Sequence, residues 1–127
     1  MLSLTVPVIA PLMGCAGSDA AGTVVAPVYL GVETEQLDAD LVRLRVRMEG
    51  ARDGRDAETY AECAAAQHAL DRGAGFVRHV RTLVTQSAGI WEADAVYTVS
   101  AALPEGLRTI DAEVTVAACG GNGIPVA

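Results

Sequence analysis

The chain has 127 residues, a length typical of one domain; 51% of them are apolar and 20% are charged, which excludes a wholly disordered chain. The net charge of −7 disfavours a nucleic-acid partner, because binding to a phosphate backbone depends on basic residues. All nine basic residues are arginines, so Schiff-base chemistry on a lysine and a P-loop lysine are excluded.

The first fourteen residues carry no charge and are mostly apolar. They are too few for a membrane-spanning helix, which needs about 20 residues, and Pro7 and Pro11 would interrupt such a helix. Their length and the small residue at their end are typical of the apolar part of a secretory signal. We therefore predict a signal-like segment over residues 1–14.

The next feature is the tetrapeptide Leu12-Met13-Gly14-Cys15, with an apolar residue three positions before the cysteine and a small one just before it. It resembles the lipobox of bacterial lipoproteins. The resemblance implies that Cys15 becomes the lipid-modified N-terminus and anchors a protein facing the periplasm. No Lys or Arg precedes Cys15, a departure from ordinary signals. The alternative interpretation is an ordinary buried strand followed by a core thiol at Cys15.

The remaining chain divides by composition into a tether, a domain and a tail. Residues 15–27 are mostly small, with little periodicity, and are predicted to be the lipidated cysteine and its tether. Residues 28–119 are predicted to form a single domain. Residues 120–127, which begin with two glycines, are predicted to be a flexible tail.

The domain opens with a pattern that predicts a β-hairpin. Apolar residues alternate over 28–33, and Asp38-Ala39-Asp40 is typical of a turn. Residues 41–48 alternate apolar side chains with arginines, which indicates a strand with one buried and one solvated face.

A helix is predicted over residues 57–72, which contain six alanines and neither Gly nor Pro. Asp56 is the predicted N-cap, and Gly73 is expected to end the helix. At 100° per residue, Cys63 falls on the face directed at the sheet, and Glu62 falls opposite it.

Three further strands are predicted, over residues 76–86, 90–101 and 107–118, and the last two are predicted to pair across a turn at 103–106. The fold is thus α+β, in the order ββ-α-βββ, a mainly antiparallel sheet with one helix packed on a face. This layout resembles small bacterial envelope lipoproteins of uncharacterised function. The resemblance implies a fold and a location, and it supplies no catalytic residues.

Cys63 and Cys119 remain as a pair if Cys15 is lipidated. In an oxidising compartment they are candidates for a disulfide joining the helix to the end of the last strand. The alternative is two buried free thiols, since Cys packs well as a small apolar side chain.

The histidines do not predict a metal or catalytic site. Cys63 and His68 lie about 140° apart around the helix and cannot bind one ion on the same face. Nothing with ligand spacing surrounds His79, so we expect both imidazoles to be solvated. No nucleophile motif is present, and we expect neither catalytic activity nor a cofactor.

The stripe formed by Arg43, Arg45 and Arg47 is the most distinctive surface feature of the sequence. It has the geometry to contact an anionic head group or an acidic partner. Cross-strand pairing with Glu33 and Glu35 is the alternative, and the surplus of acidic residues favours it. We expect a lipid-anchored envelope protein that binds a protein partner or has a structural role. The alternative is a small ligand-binding domain or enzyme with a cleft at the arginine stripe or at His79.

Overall fold

The computed structural model describes residues 26–103 and 109–126, and the predicted signal-like segment and lipobox lie outside them. The described residues form five strands and two helices. In chain order these are β1 (Val28–Asp38), β2 (Leu41–Glu49), α1 (Gly54–Asp71), β3 (Phe76–Ser87), β4 (Ile90–Ser100), β5 (Thr109–Asp111) and α2 (Ala112–Gly121). No helix among these residues is long and apolar enough to cross a bilayer.

The five strands form one antiparallel sheet in the order β1-β2-β4-β3-β5, and α1 packs on one of its faces. The α+β class with a mainly antiparallel sheet is therefore confirmed. The single-helix order ββ-α-βββ is wrong in one element, because most of the predicted strand 107–118 is helix α2. Among the described residues of that segment, which begin at Thr109, the extended ones are Thr109–Asp111.

The alternation of Ile110, Ala112, Val114 and Val116 indicates a strand, but a helix cap overrides it. The Asp111 carboxylate accepts a hydrogen bond from the Val114 backbone N–H at 3.0 Å and thereby starts α2. The helix ends at Gly121, two residues beyond the predicted end of the domain. The backbone N–H of Ile124 then donates to the Cys119 carbonyl at 2.9 Å.

The second predicted hairpin is also wrong in its pairing. β4 pairs with β3 and β2, whereas β5 pairs with β3. β3 and β4 are joined by the two-residue turn Ala88-Gly89, in which both residues have positive φ (52° and 80°). Such turns follow the right-handed twist of the strands they connect. Most of the predicted turn at 103–106 lies outside the described residues.

The β1–β2 hairpin is present as predicted, with two register shifts in β1, between Tyr29 and Gly31 and between Gln36 and Asp38. A bulge between Tyr29 and Gly31 changes the alternation, so that Tyr29 and Val32 lie opposite the buried Met48 and Val46. The Tyr29 ring meets the Tyr60 ring of α1 edge-on, with centroids 4.8 Å apart. Val28 is consequently on the other face of the sheet.

The core lies between α1 and the covered face of the sheet. From β2 it contains the even-numbered residues 42–48, and from β4 the small residues Ala93 and Ala95. Small side chains on α1 and on β4 let the helix lie close to the sheet. The helix begins earlier than predicted because the N-cap is Asp53, whose carboxylate accepts from the Arg55 backbone N–H at 2.9 Å.

Cys63 and Cys119 form a disulfide, with Cα atoms 6.1 Å apart. Both residues are buried. The bridge joins α1 to α2, not a helix to a strand as predicted, because Cys119 lies in the second helix. The disulfide therefore holds α2, the helix that the sequence pattern did not predict, against α1.

Candidate functional site

The arginine stripe lies on the face of the sheet opposite α1, which we call the open face. β2 alternates strictly, so its even-numbered side chains enter the core and its arginines point away from it. The register places Arg45 opposite Glu33 and Arg43 opposite Glu35. Arg43 Nη1 is 3.6 Å from Glu35 Oε1, and Arg45 Nη1 is 3.8 Å from Glu33 Oε1. These are the cross-strand pairs that the sequence favoured.

Asp94 of β4 is a stronger partner for the stripe than either glutamate. Its two carboxylate oxygens accept from Nε and Nη2 of Arg43, the first at 2.9 Å, in a bidentate arrangement. Arg81 adds a contact of 3.6 Å to the same carboxylate. The hydrogen bonds from Arg43 hold the pKa of Asp94 below its ordinary value. Sequence reasoning missed Asp94, because its role depends on β2 lying beside β4.

The three arginines of the stripe are therefore not equivalent. Arg43 is fixed on two sides, and Arg45 has one exposed partner. Arg47 forms no salt bridge within 4.0 Å to any carboxylate of residues 26–103 and 109–126, and its side chain is exposed. The stripe thus offers its most accessible positive charge at the Arg47 end.

His79 lies on the covered face, in a cleft between α1 and strands β3, β4 and β5. The cleft has a volume of about 540 Å³. Its polar lining includes Arg55, Glu58, Glu62, His79, Thr82 and Tyr97. The predicted arginine stripe and His79 are thus separated by the sheet, and no cleft among the described residues contains both.

A bulge in β3 shapes this cleft. Residues three apart on a regular strand face opposite sides, but the bulge between His79 and Arg81 places His79 and Thr82 on the same side. His79 Nε2 and Thr82 Oγ1 are 2.6 Å apart and share a hydrogen bond. The His79 ring also meets the Tyr97 ring edge-on, at a centroid distance of 5.2 Å. The imidazole is exposed, as the sequence predicted, but it is also held by two neighbours.

Glu62 and Tyr97 form the less accessible part of the cleft. Glu62 was predicted to face away from the sheet, but it is half-buried beside β3 and β4. Burial raises the pKa of its carboxyl group, and the nearby His79 opposes that rise. The Tyr97 side chain is 2% exposed, and burial together with the charges of Glu62 and Glu58 raises the pKa of its phenol. Within the described ranges, neither side chain forms a hydrogen bond.

A larger cleft, of about 1000 Å³, lies beside Trp91, also along the N-terminal half of α1. Two of its charged groups, Arg52 and Asp56, already form an ion pair. Arg52 Nη2 donates to Asp56 Oδ1 at 2.8 Å, and this contact lowers the pKa of Asp56. This larger cleft therefore offers an apolar wall and a closed ion pair. In the His79 cleft, by contrast, Glu62 and Tyr97 have no hydrogen-bond partner among residues 26–103 and 109–126.

The remaining candidate residues have structural partners. Cys63 is bridged, and His68 Nε2 lies 3.0 Å from Gln36 Oε1 of β1, so this imidazole is not simply solvated. Burial lowers the pKa of His68. Across residues 26–103 and 109–126, no group of three or more His, Cys, Asp or Glu side chains is arranged to hold a metal ion.

Residues 29–123 match the family described as the YNQ4 C-terminal domain. The chain belongs to this family. It is also similar to a protein of Paracoccus denitrificans named "Uncharacterized 26.9 kDa protein in nqo8 5'region", with 36% identity over 87 residues. That alignment covers 68% of this chain and 34% of the relative, so the chain spans about a third of the relative's length. No solved structure matches the chain significantly.

Proposed function

We propose that this YNQ4 C-terminal domain is a lipid-anchored protein of the cell envelope that faces the periplasm and binds a protein partner without catalysing a reaction. The disulfide between Cys63 and Cys119 is the observation that carries the proposal. Structural disulfides persist in oxidising compartments such as the periplasm. The bridge uses two of the three cysteines in the chain and leaves Cys15, within the lipobox-like tetrapeptide, for acylation.

The open face supports binding to a partner. It belongs to a five-stranded sheet that carries α1 on its other side. Arg47 is exposed there, opposite Glu92 of β4 and on the same strand as Arg43, whose charge Asp94 neutralises. Such a surface suits an acidic protein of the envelope, because a partner carboxylate would meet Arg47 without breaking the existing ion pairs. A tether of residues 15–27 would hold this surface close to the membrane.

A ligand-binding function for the His79 cleft is the second candidate, and two of its polar groups, Glu62 and Tyr97, which have no hydrogen-bond partner among the described residues, favour it. It is compatible with the first proposal, because the two surfaces lie on opposite faces of the sheet.

Replacement of Cys15 by Ala in the native host tests the anchor. We expect the variant to lose labelling by radioactive fatty acid and to leave the membrane fraction, because it lacks the thiol that is acylated. The matched control is a double variant, Cys63→Ala with Cys119→Ala, which keeps the lipobox-like tetrapeptide. Globomycin, which blocks the signal peptidase of lipoproteins, should make the uncleaved form accumulate. Unchanged labelling and fractionation of Cys15→Ala would contradict the proposal.

The binding surface can be tested with a photo-reactive amino acid placed at single positions in the native host. Incorporation at Arg47 should give a discrete cross-linked species of one size. The control position is Gln67 of α1, which lies on the other side of the sheet. Equal cross-linking from both positions, or none from the open face, would contradict the assignment.

A further inference from the structure

We propose that the cleft between α1 and strands β3, β4 and β5 binds a small ligand that carries a primary ammonium group, with the Glu62 carboxylate as its counter-ion and the Tyr97 hydroxyl as a second contact. This goes beyond partner binding at the open face, since it assigns a ligand class to the opposite side of the sheet. It does not depend on the lipid anchor.

The Tyr97 hydroxyl provides the first argument. The side chain is 2% exposed, it lines the cleft, and within the described ranges its hydroxyl has no hydrogen-bond partner. Buried polar groups in folded proteins are nearly always hydrogen-bonded. A phenylalanine would fill the same space without a polar group to satisfy. The hydroxyl is therefore placed to contact something that enters the cleft.

Glu62 provides the second argument. Its carboxylate is half-buried in the same cleft and, among the described residues, it accepts no hydrogen bond from a side chain or a backbone N–H. Removing a carboxylate from water without a donor is unfavourable. The raised pKa of this group agrees with that cost. An ammonium group supplies both the opposite charge and N–H donors, and such charge-assisted bonds are stronger than neutral ones.

The sign of the ligand charge follows from the groups that face the cleft. Among the described residues that line it, Glu58 and Glu62 are acidic, Arg55 is basic, and the His79 imidazole is a further titratable group near Glu62. Arg55 and Glu62 are seven residues apart, which separates their Cα atoms by about 10.5 Å along the helix. An anion beside Tyr97 would thus meet Glu62 before it met Arg55. The chain as a whole carries a charge of −7, which also attracts cations.

The size of the cleft limits the ligand to a small molecule. A volume of about 540 Å³ falls within the range of small-ligand pockets, roughly 300–1,000 Å³. Aliphatic diamines are suitable probes, because a neutral diol of the same length differs from them only in the terminal groups.

The test is an NMR titration of the full chain, in mild detergent and at low ionic strength, with 1,4-diaminobutane. We expect saturable shifts centred on the backbone amides of Glu62, His79 and Tyr97. The same titration with 1,4-butanediol should give none at equal concentrations, because the diol has no charge. The matched control variant is Glu49→Gln, which removes one exposed carboxylate from the open face and should bind like the original protein.

Two variants separate binding from folding. Glu62→Gln should weaken binding of the diamine about tenfold or more, since it removes the charge of the acceptor. Tyr97→Phe should weaken it by a smaller factor, about threefold to tenfold. Both should keep the circular dichroism spectrum of the original protein. Equal affinities in Glu62→Gln and Glu49→Gln, or equal shifts with the diol, would overturn the proposal. So would shifts spread over the whole acidic surface.

Discussion

The covered face and the open face of the sheet are stabilised by different interactions. The covered face packs against α1 through apolar side chains such as Leu44 and Ala95, which are fully buried. The open face relies on ion pairs between neighbouring strands, centred on Arg43 and Asp94. Strand β2 contributes residues to both faces, because its side chains alternate between them.

This difference indicates that the covered face supplies most of the stability of the fold, whereas the open face is available for binding. Burial of apolar surface is the larger stabilising contribution, whereas exposed ion pairs contribute little. The open face can therefore change its charges at small cost in stability. The His79 cleft is the exception on the covered face, since Glu62 and Tyr97 there have no hydrogen-bond partner in the part of the chain that the structure describes. The following experiments test this separation.

The largest effect is expected from loss of the disulfide on the helical side. Cys63 and Cys119 are 56 residues apart, and closing a loop of that length restricts the unfolded chain by about 4 kcal/mol. Urea denaturation of the double variant Cys63→Ala, Cys119→Ala should show a loss of that size. Reduction of the original protein should give a similar loss, and Cys15→Ala should give none. An unchanged urea midpoint after reduction would contradict the prediction.

Matched leucine substitutions on the two faces should differ strongly. Leu44→Ala removes a side chain with no exposed surface, and we expect a loss of about 3 kcal/mol in the free energy of unfolding. Leu83→Ala makes the same change at a side chain that is 60% exposed on the open face, and we expect less than about 0.5 kcal/mol. Urea denaturation measures both. Comparable losses would show that the open face is buried against something in the sample.

Asp94→Asn tests the ion pairs of the open face. Because Arg43 lowers the pKa of Asp94 in the folded state, the charged carboxylate stabilises the fold above its ordinary pKa, near pH 4. That contribution is lost as the pH falls through the lowered value. We expect Asp94→Asn to lose less than about half as much as Leu44→Ala at pH 7. The difference from the original protein should shrink below pH 4, and a difference independent of pH would contradict this account.

The smallest effect, and one of opposite sign, is expected in the cleft. Burial raises the pKa of Glu62, so its charged form destabilises the folded state above that pKa. Glu62→Gln should therefore raise the free energy of unfolding at pH 7 by less than about 1 kcal/mol. The gain should disappear as the pH falls and Glu62 becomes protonated in the original protein. A loss of stability at pH 7 would show that the Glu62 carboxylate has a stabilising partner.

Local sequence patterns were sufficient for the β1–β2 hairpin, for α1 and for most of β3 and β4. In these elements, side-chain alternation or a run of alanines agrees with the final packing. The strand prediction for the segment after β5 was wrong. The β-branched residues at alternate positions, such as Val114 and Val116, are typical of a strand, but the helix cap at Asp111 determines the structure. Asp111 followed by Glu113, with two glycines at the far end, was the signal for a helix.

The candidate sites depend on which strands are neighbours, and no local pattern contains that information. Asp94 reaches Arg43 because β4 lies between β2 and β3. Glu62 is half-buried because β3 and β5 extend the sheet beneath its side of α1, so a helical projection alone placed it in solvent. His79 was recognised as a candidate, but the bulge that turns it toward Thr82 has no clear signature in the sequence.

The order of the cysteines along the chain has a consequence for biogenesis. Cys119 follows all five strands, whereas Cys63 precedes three of them. The bridge can therefore close only after the whole sheet has been synthesised and, in an exported protein, translocated. Until then Cys63 carries a free thiol on a helix that α2 has not yet joined. Oxidation is thus a late step that follows synthesis of the whole sheet, and Cys63 of a nascent chain stalled before α2 would remain open to thiol reagents.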